Sequence, residues 1–305
     1  MKIKKFNKLL SYIDKLSEVE KQYLKFILDN NNSTNKIPIR DNIINIGDEI
    51  VIPHSLYGDI PFIVIGKDHD ADNSVTLLTR YIVRLLAFDA DESNNIDIGT
   101  QVGGNNRYVF SNLLQWMNSD KTAGEWYTPQ HEYDAPPNDK YVTNNPYINI
   151  DGLLRGFDNN IVNSMITVPR RSIGNYADIV PSKVFLLSTN EVGLANENNI
   201  DEGKIYEYFS NNNVNEQRLA YPSEYCLDNA GGYTYTDANF AFWKPWYWWL
   251  RTPGSGNSAA VRVITTRGTG ADACACSGVN GLRFAICLPT DKYLELKEKE
   301  IRKND

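Results

Sequence analysis

The chain has 305 residues, of which 42% are hydrophobic, and a formal net charge of −7. This length and apolar fraction are sufficient for a full hydrophobic core. The spread acidic charge, without a basic stripe, argues against binding to nucleic acid. No stretch approaches the ~18 consecutive apolar residues of a membrane-spanning helix, so we expect no membrane insertion.

The N-terminal region is predicted to be helical. Between residues 3 and 29 the apolar residues recur every three or four positions, and Ser17 and Glu20 have the spacing of a capping box. This pattern indicates two short helices that meet near Leu16, followed by a polar linker at residues 30–35. The helices either pack on their own domain or form an assembly element that contacts a virion or a second copy of the chain.

From Ile46 onwards the pattern changes to strands. The β-branched runs at residues 50–52, 62–65 and 75–78 are separated by Gly, Pro and Asp turns, which predicts an antiparallel meander. Further along, the patterns predict a helix at 107–119, an irregular insertion at 120–147, a buried strand at 182–188, a short helix at 205–209 and a charged helix at 290–305.

An aromatic cluster marks the start of the C-terminal part. Five aromatic residues and a proline lie between Trp243 and Trp249. Strand alternation prevents all of them from being buried, so we assign Trp248 and Trp249 to the core, with Trp246 and Tyr247 at the border of a site.

Short and chemically mixed side chains follow this cluster. If residues 261–264 and 271–276 are strands, alternation places Val261, Val263, Ala271, Ala273 and Ala275 towards the core. The opposite set is then exposed on a rigid support: Arg262, Ile264, Asp272, Cys274 and Cys276. The alternative interpretation is a Gly- and Ala-rich hairpin whose wet face tolerates any residue.

Five segments together resemble a bacterial and phage domain family of uncharacterised function. They are IGDEIVI, SNLLQWMNS, SKVFLLS, YWWLRTPG and NGLRFAICL, and the hallmark of the family is WWLRSPG followed by GVRPAL. The match covers roughly residues 41–289. The chain departs from the usual pattern at Leu282, where the family has Val, and at Phe284, where it has Pro.

The resemblance implies an α+β domain with a C-type-lectin-like fold, shared with formylglycine-generating enzymes and with the variable proteins of diversity-generating retroelements. It therefore predicts a C-type-lectin-like domain with antiparallel strands and irregular loops at 41–289. The helical pattern before this domain and the charged pattern after it lie outside the resemblance, and they predict an N-terminal helical assembly element at 1–40 and a charged helical tail at 290–305. Arg251 and Arg283, in the two hallmark motifs, are expected to bind buried carbonyls or a carboxylate.

In the retroelement class, adenine randomisation converts Asn codons into codons for many small and polar residues, while scaffold codons stay fixed. The tract from Ser255 to Asn280 has this composition. With the two bordering aromatic residues, the predicted ligand-binding positions are Trp246, Tyr247, Ser255, Asn257, Ser258, Arg262, Ile264, Thr266, Arg267, Thr269, Asp272, Cys274, Cys276, Ser277 and Asn280.

The sequence gives little support to the hypothesis that the protein is an enzyme. The three histidines are scattered, and no phosphate-binding loop, nucleophile elbow or Ser/His/Asp grouping is recognisable. The DHDAD run at 68–72 lacks the Gly and distal Glu of a calcium loop, and the Glu-Pro-Asn and Trp-Asn-Asp triplets of calcium-dependent lectins are absent. We therefore expect no catalytic residue, no metal and no cofactor.

The cysteines leave one enzymatic alternative open. Four cysteines are too few and too bunched for a disulfide framework in a chain of this length. Cys274 and Cys276, two apart on a strand, would point the same way and could bind a soft metal, as in an oxidoreductase of the formylglycine-generating type. The other alternative to a ligand-binding function does not involve the cysteines: it is a purely structural virion protein.

The sequence thus predicts a non-catalytic ligand-binding protein whose ligand is a cell-surface protein or glycan. The resemblance suggests a phage tail tip or a bacterial surface adhesin. The N-terminus is basic but has neither an apolar signal segment nor a small-residue cleavage site, so we expect no signal peptide, which favours the phage virion.

Overall fold

The computed structural model describes residues 44–137, 147–173, 177–210, 214–230 and 240–304. The chain divides into two compact units, Met1–Asp48 and Glu49–Asp305, and the architecture below is that of the second unit. The predicted helices at 3–29 and the linker at 30–35 lie outside the described residues. None of the helices in the described ranges has the length and apolar character needed to cross a bilayer.

The strands, in chain order, are β1 (Glu49–His54), β2 (Gly58–Lys67), β3 (Ser74–Thr79), β4 (Arg84–Leu85), β5 (Val168–Ile173), β6 (Ala177–Ser182), β7 (Val184–Phe185), β8 (Trp248–Pro253), β9 (Ala260–Ile264), β10 (Gly270–Cys274), β11 (Gly281–Leu282) and β12 (Ala285–Pro289). The α-helices are α1 (Ile98–Gly103), α2 (Asn112–Met117), α3 (Asn159–Ser164), α4 (Val214–Arg218), α5 (Glu224–Asp228) and α6 (Thr290–Asn304). Short 3-10 helices occupy Tyr108–Phe110, Tyr147–Asn149, Leu153–Gly156 and Glu207–Phe209.

The first sheet has the strand order β1-β2-β3-β12-β7, and all of its pairs are antiparallel. The predicted meander is confirmed as β1, β2 and β3. Every residue of β3 is buried, as expected for an interior strand covered on both faces. A bulge interrupts the β2–β3 register between Val64 and Gly66. Gly66 is required there, because a Cβ atom would lie 2.9 Å from the ring of Tyr206.

The second sheet has the order β10-β9-β8-β11-β4. Its pairs are antiparallel except for β8 and β11, which run parallel. A third sheet consists of β5 and β6 alone. The predicted α+β class with mostly antiparallel strands is therefore confirmed.

Tryptophan side chains occupy the centre of the fold. Trp248 and Trp249 are fully buried, as predicted, and their indole N–H groups donate to the carbonyls of Arg218 (2.9 Å) and Leu86 (2.7 Å). Phe284, where the resembled family usually has Pro, is also fully buried and packs edge-on against the rings of Phe62 and Phe157. The connection between β11 and β12 is therefore buried in the core with a bulkier apolar residue at this position.

Arg251 lies at the centre of a buried network of charges, in agreement with its predicted structural role. Its guanidinium donates to both carboxylate oxygens of Glu191, at 2.6 and 2.8 Å, and to the carbonyls of Arg171, Leu186 and Glu202. Glu191 also accepts from Arg170 at 2.9 Å. Burial disfavours the charged forms of both groups, but the ion pairs between them have the larger combined effect. The pKa of Glu191 is therefore lower than its ordinary value, and the pKa of Arg251 is higher than its ordinary value. Arg283 donates to the carbonyl of Thr79, also as predicted.

Several local predictions differ in extent from the structure. The predicted helix at 107–119 is a 3-10 turn followed by α2, which begins after the cap residue Ser111. Of the predicted strand at 182–188, Ser182 is the last residue of β6 and Val184 and Phe185 form β7, whereas residues 186–188 are not in a strand although the whole segment from 184 to 189 is buried. The charged tail forms α6, which contacts β1, β3 and β12 and buries Tyr293.

Candidate ligand-binding surface

The predicted ligand-binding positions fall into three groups by exposure. Ser255, Asn257, Arg267, Thr269, Asp272 and Cys274 are exposed. Tyr247, Ser258, Arg262, Thr266 and Ser277 are partly buried. Trp246, Ile264, Cys276 and Asn280 are buried.

The expected exposure of Ile264 is wrong. Ile264 lies opposite Trp248 in the β8–β9 register and belongs to the same buried apolar cluster. Val263 is buried as well, so the end of β9 is covered on both faces and simple alternation does not apply. Conversely, Ala271 and Ala273 were expected in the core but are only half-buried, because β10 is the edge strand of its sheet.

Trp246 was expected to border a binding site, but it is buried. Its indole N–H donates to the carbonyl of Val279 at 2.8 Å, and its ring packs edge-on against Phe240 and Tyr247. The strand begins only at Trp248, so the alternation used for the prediction does not extend to this residue. Cys276 and Asn280 are buried because they lie in the turns between β10 and β11, which pack against the loop after β4: the carbonyl of Asn280 accepts from the amide of Leu86.

The outer face of the β9–β10 hairpin is charged. Arg262 and Asp272 lie directly opposite each other, and Nη1 of Arg262 is 2.9 Å from the Asp272 carboxylate. The same Nη1 is 2.7 Å from one carboxylate oxygen of Glu197, whose other carboxylate oxygen accepts from the hydroxyl of Ser255. We call Arg262, Asp272, Glu197 and Ser255 the hairpin face. The predicted common orientation of Arg262 and Asp272 is confirmed.

A polar cavity of about 280 Å³ adjoins the hairpin face. It is lined by side chains from the segment 95–107, from β5 and β6, from Asn198 and from the turn 253–258. We call it the polar pocket. Two of its residues, Asn257 and Ser258, are predicted ligand-binding positions. Gly254 connects it with the hairpin face, since a Cβ atom at Gly254 would lie 2.9 Å from the Asp272 carboxylate.

The walls of the polar pocket are held by hydrogen bonds between these segments. Arg107 makes a bidentate ion pair with Asp178, at 3.0 and 2.7 Å. Asn106 donates through its side-chain amide to the carbonyl of Asn257 and through its backbone amide to the carbonyl of Ser258, both at 2.8 Å. Bonds of this kind fix the geometry of the loops that line the pocket.

The floor of the pocket rests on buried polar groups. Ser172 donates to the carbonyl of Arg251 at 3.1 Å, which ties the pocket to the buried charge network. On the other side, Asp89 accepts from the backbone amides of Asn105 and Asn112, at 2.9 and 3.0 Å. Burial raises the pKa of Asp89 well above its ordinary value despite these two bonds. The loop that carries Asn105 is thereby anchored from beneath.

His54, His69 and Asp70 of the DHDAD run make contacts within the fold. His54 is buried, and burial lowers its pKa to about 4 against the opposing effect of its bond to the carbonyl of Leu153. His69 stacks on Tyr206. Asp70, from the DHDAD run, is paired with Arg170 at 2.6 Å and accepts from the hydroxyl of Tyr206. Within the described ranges, no group of three or more His, Cys, Asp or Glu side chains has the geometry to hold a metal ion.

Most of the polar pocket lies outside the C-terminal tract from which the ligand-binding positions were predicted. The Asn-rich strings SNNIDIGT and GGNNR were the available signal, since such loops are surface features that often bind ligands. The missed residues are Asn95, Asp97, Thr100, Asn105, Asn106, Arg107, Ser172, Asp178 and Asn198.

These features define a mixed α+β domain with a polar pocket beside a charged edge hairpin. Residues 73–290 match the family described as Domain of unknown function (DUF6273), and because the match covers more than half of the chain, the protein belongs to this family. Neither the curated proteins nor the solved structures contain a match to the chain.

Proposed function

We propose that this chain is a non-catalytic ligand-binding protein that recognises a protein or glycan on a cell surface through the polar pocket and the hairpin face. The observation that carries the proposal is the pocket itself: a cavity of about 280 Å³ lined by amide, hydroxyl and charged side chains. Binding sites are concave and contain a few fixed polar groups that orient the ligand.

The position of the exposed residues supports the proposal. Asp272 and Ser255 are exposed, and Arg262 is partly buried, whereas Trp248 and Trp249 fill the core behind them. Contacts at the surface and contacts that stabilise the fold are therefore made by different side chains. Substitutions on the hairpin face should change what is bound without unfolding the domain.

We further propose a C-type-lectin-like fold and a role as a phage tail-tip protein or bacterial surface adhesin, diversified by a retroelement. Mostly antiparallel sheets, short helices and long irregular connections support the fold. Exposure supports variability at Ser255, Asn257, Arg267, Thr269, Asp272 and Cys274. The buried positions Ile264, Cys276 and Asn280 are poorer candidates, because random substitution there would disturb packing.

Diversification predicts a specific arrangement of the DNA around the gene. The flanking sequence is expected to contain a near-copy of the segment that encodes residues 243–288, with Asn codons at the exposed variable positions, and a reverse-transcriptase gene. Sequencing the locus tests this. A locus without both elements would refute diversification and leave the binding proposal intact.

Binding predicts that two arginines of the site contribute to affinity. The labelled full chain is expected to bind intact bacterial cells or an array of immobilised surface polysaccharides, and Arg107→Ala and Arg262→Ala should each weaken this binding about 10- to 100-fold. The reason is that loss of a charged hydrogen-bonding partner costs about 1.5–3 kcal/mol. Titration of the bound fluorescence measures the apparent Kd.

Arg155→Ala is the matched control. Arg155 is also paired with a carboxylate, that of Asp151 at 3.0 Å, but it lines neither the pocket nor the hairpin face. Its affinity should equal that of the unaltered chain. The proposed function would be contradicted if Arg107→Ala and Arg262→Ala bound with the same affinity as Arg155→Ala. It would also be contradicted if the unaltered chain bound to none of the cells or polysaccharides.

A further inference from the structure

Two cysteine thiols lie in contact at the end of β10. The Sγ atoms of Cys274 and Cys276 are 3.2 Å apart. Cys274 is the last residue of the strand, and the next residues form a turn closed by a bond from the amide of Ser277 to the carbonyl of Cys274. The turn, rather than the predicted strand alternation, brings the two sulfurs to the same side.

The surrounding backbone holds this turn in place. The amide of Ala275 donates to the carbonyl of Ala259, and the amide of Cys276 donates to the carbonyl of Gly103. The carbonyl of Ala275 accepts from the amides of both Phe88 and Asp89. Because these bonds are made by the backbone, the sulfurs are pre-organised by the fold and need no further ordering to meet.

A glycine makes room for the exposed thiol. A Cβ atom at Gly103 would lie 3.1 Å from Sγ of Cys274 and 2.6 Å from Cβ of Ala259. In the structure, Sγ of Cys274 instead approaches the carbonyl of Gly103, at 3.2 Å, and donates to it. The sulfur therefore sits in a cradle that a larger residue at 103 would fill.

The two thiols differ in their access to solvent. Cys274 is exposed, whereas Cys276 has 6% of its surface accessible. Thiol–disulfide exchange starts with attack by an accessible thiolate and ends with attack by a second thiol on the mixed disulfide. The exposed Cys274 is suited to the first attack, and the buried Cys276 is suited to the second. Cys226 and Cys287 are buried elsewhere in the core, and burial raises the pKa of each thiol.

We propose that Cys274 and Cys276 form a dithiol site that reacts reversibly with low-molecular-weight disulfides such as oxidised glutathione. The Cys274 thiolate attacks one sulfur of the small disulfide, which forms a mixed disulfide and releases one thiol. The Cys276 thiolate then attacks Sγ of Cys274 and releases the second thiol. The protein loses two electrons and two protons, and one small disulfide becomes two thiols. Closure moves the two sulfurs roughly 1 Å closer to reach the usual S–S bond length. This inference does not rest on the proposed function.

The test is exposure of the reduced full chain to oxidised glutathione, followed by acid quenching, alkylation and peptide mass spectrometry. The peptide with Cys274 and Cys276 should lose about 2 Da, as expected for an internal disulfide, and dithiothreitol should reverse the change. Cys226 and Cys287 should remain unmodified, which also reports that the protein stays folded.

Single variants separate the two roles. In Cys276→Ser, closure is blocked, so the mixed disulfide with glutathione should accumulate on Cys274 at least about tenfold above its level in the unaltered chain. In Cys274→Ser, the buried Cys276 should react at least about tenfold more slowly than Cys274 does. Protection of Cys226 and Cys287 is the folding criterion for both variants.

Three results would overturn the proposal. They are no reaction of Cys274 in the folded chain, a stable mixed disulfide in the unaltered chain without closure, and an intermolecular Cys274 dimer as the main product. Each would mean that the observed proximity does not produce an internal exchange reaction.

Discussion

Arg251→Met is expected to lower the free energy of unfolding by about 3–5 kcal/mol. The substitution keeps the apolar stem and removes the guanidinium, which leaves the buried Glu191 carboxylate with Arg170 as its ion-pair partner. It also removes the donor to the carbonyls of Arg171, Leu186 and Glu202, of which the last two are buried. Urea denaturation followed by tryptophan fluorescence measures the change.

A matched arginine provides the control for this prediction. Arg155 is paired with Asp151 at 3.0 Å, but both side chains are about half exposed. Arg155→Met should therefore cost no more than about 1 kcal/mol. A similar small loss for Arg251→Met would mean that the buried network does not stabilise the fold.

The pH dependence of stability is a second test of the same buried charge network. Because Arg251 and Arg170 overcome the effect of burial, the pKa of Glu191 is lower in the folded state than in the unfolded state. Its contribution to stability is present above the unfolded-state pKa and is lost as the pH falls through the folded-state pKa. The difference in stability between the unaltered chain and Arg251→Met should therefore narrow at acidic pH.

Trp249→Ala is expected to cost about 3–5 kcal/mol, because truncation of a large buried side chain leaves a cavity in the core. Trp249 is fully buried, packs near Phe88 and donates to the carbonyl of Leu86 at 2.7 Å. The loss of the indole also leaves that carbonyl without this donor. Thermal unfolding followed by circular dichroism is a suitable measurement, with a large fall in Tm expected.

Trp243→Ala is the corresponding control. Trp243 belongs to the same aromatic cluster in the sequence but is 63% exposed. Its removal should change stability by no more than about 0.5 kcal/mol. Comparable losses for both variants would show that the aromatic cluster acts as one unit, contrary to the division between core and surface described above.

The regular parts of the fold could be predicted because their signals are local. The β-branched runs that form β1 to β3 carry their own turns, and the apolar side of the segment 107–119 predicted a helix there, although α2 begins only after Ser111. Arg251 could be assigned a structural role because it stands in a hallmark motif of the family that the sequence resembles, where it was expected to bind buried carbonyls or a carboxylate. The partner Glu191, however, has no nearby signal, since it lies 60 residues away in the chain.

The candidate binding surface could be predicted only in part, because it combines segments that are distant in sequence. Arg107 and Asp178 meet across 71 residues, and alternation says nothing about such pairs. Alternation also failed for Ile264, where tertiary packing covers both faces of the strand. Strand patterns predict which side of a hairpin faces out, but they do not predict which loops stand beside it.

The strand order has a consequence for how the protein is made. Of the strands in the described ranges, β12 is the last to be synthesised, yet it lies between β3 and β7 in the first sheet. β11, just before it, joins β8 to β4 in the second sheet. Until these residues leave the ribosome, each sheet exists as two separate parts whose hydrogen-bonding edges are open. Sheets that are completed only by distant segments of the chain fold slowly, and their unpaired strand edges are prone to aggregation. We therefore expect the nascent domain to depend on chaperones until its C-terminal strands are available.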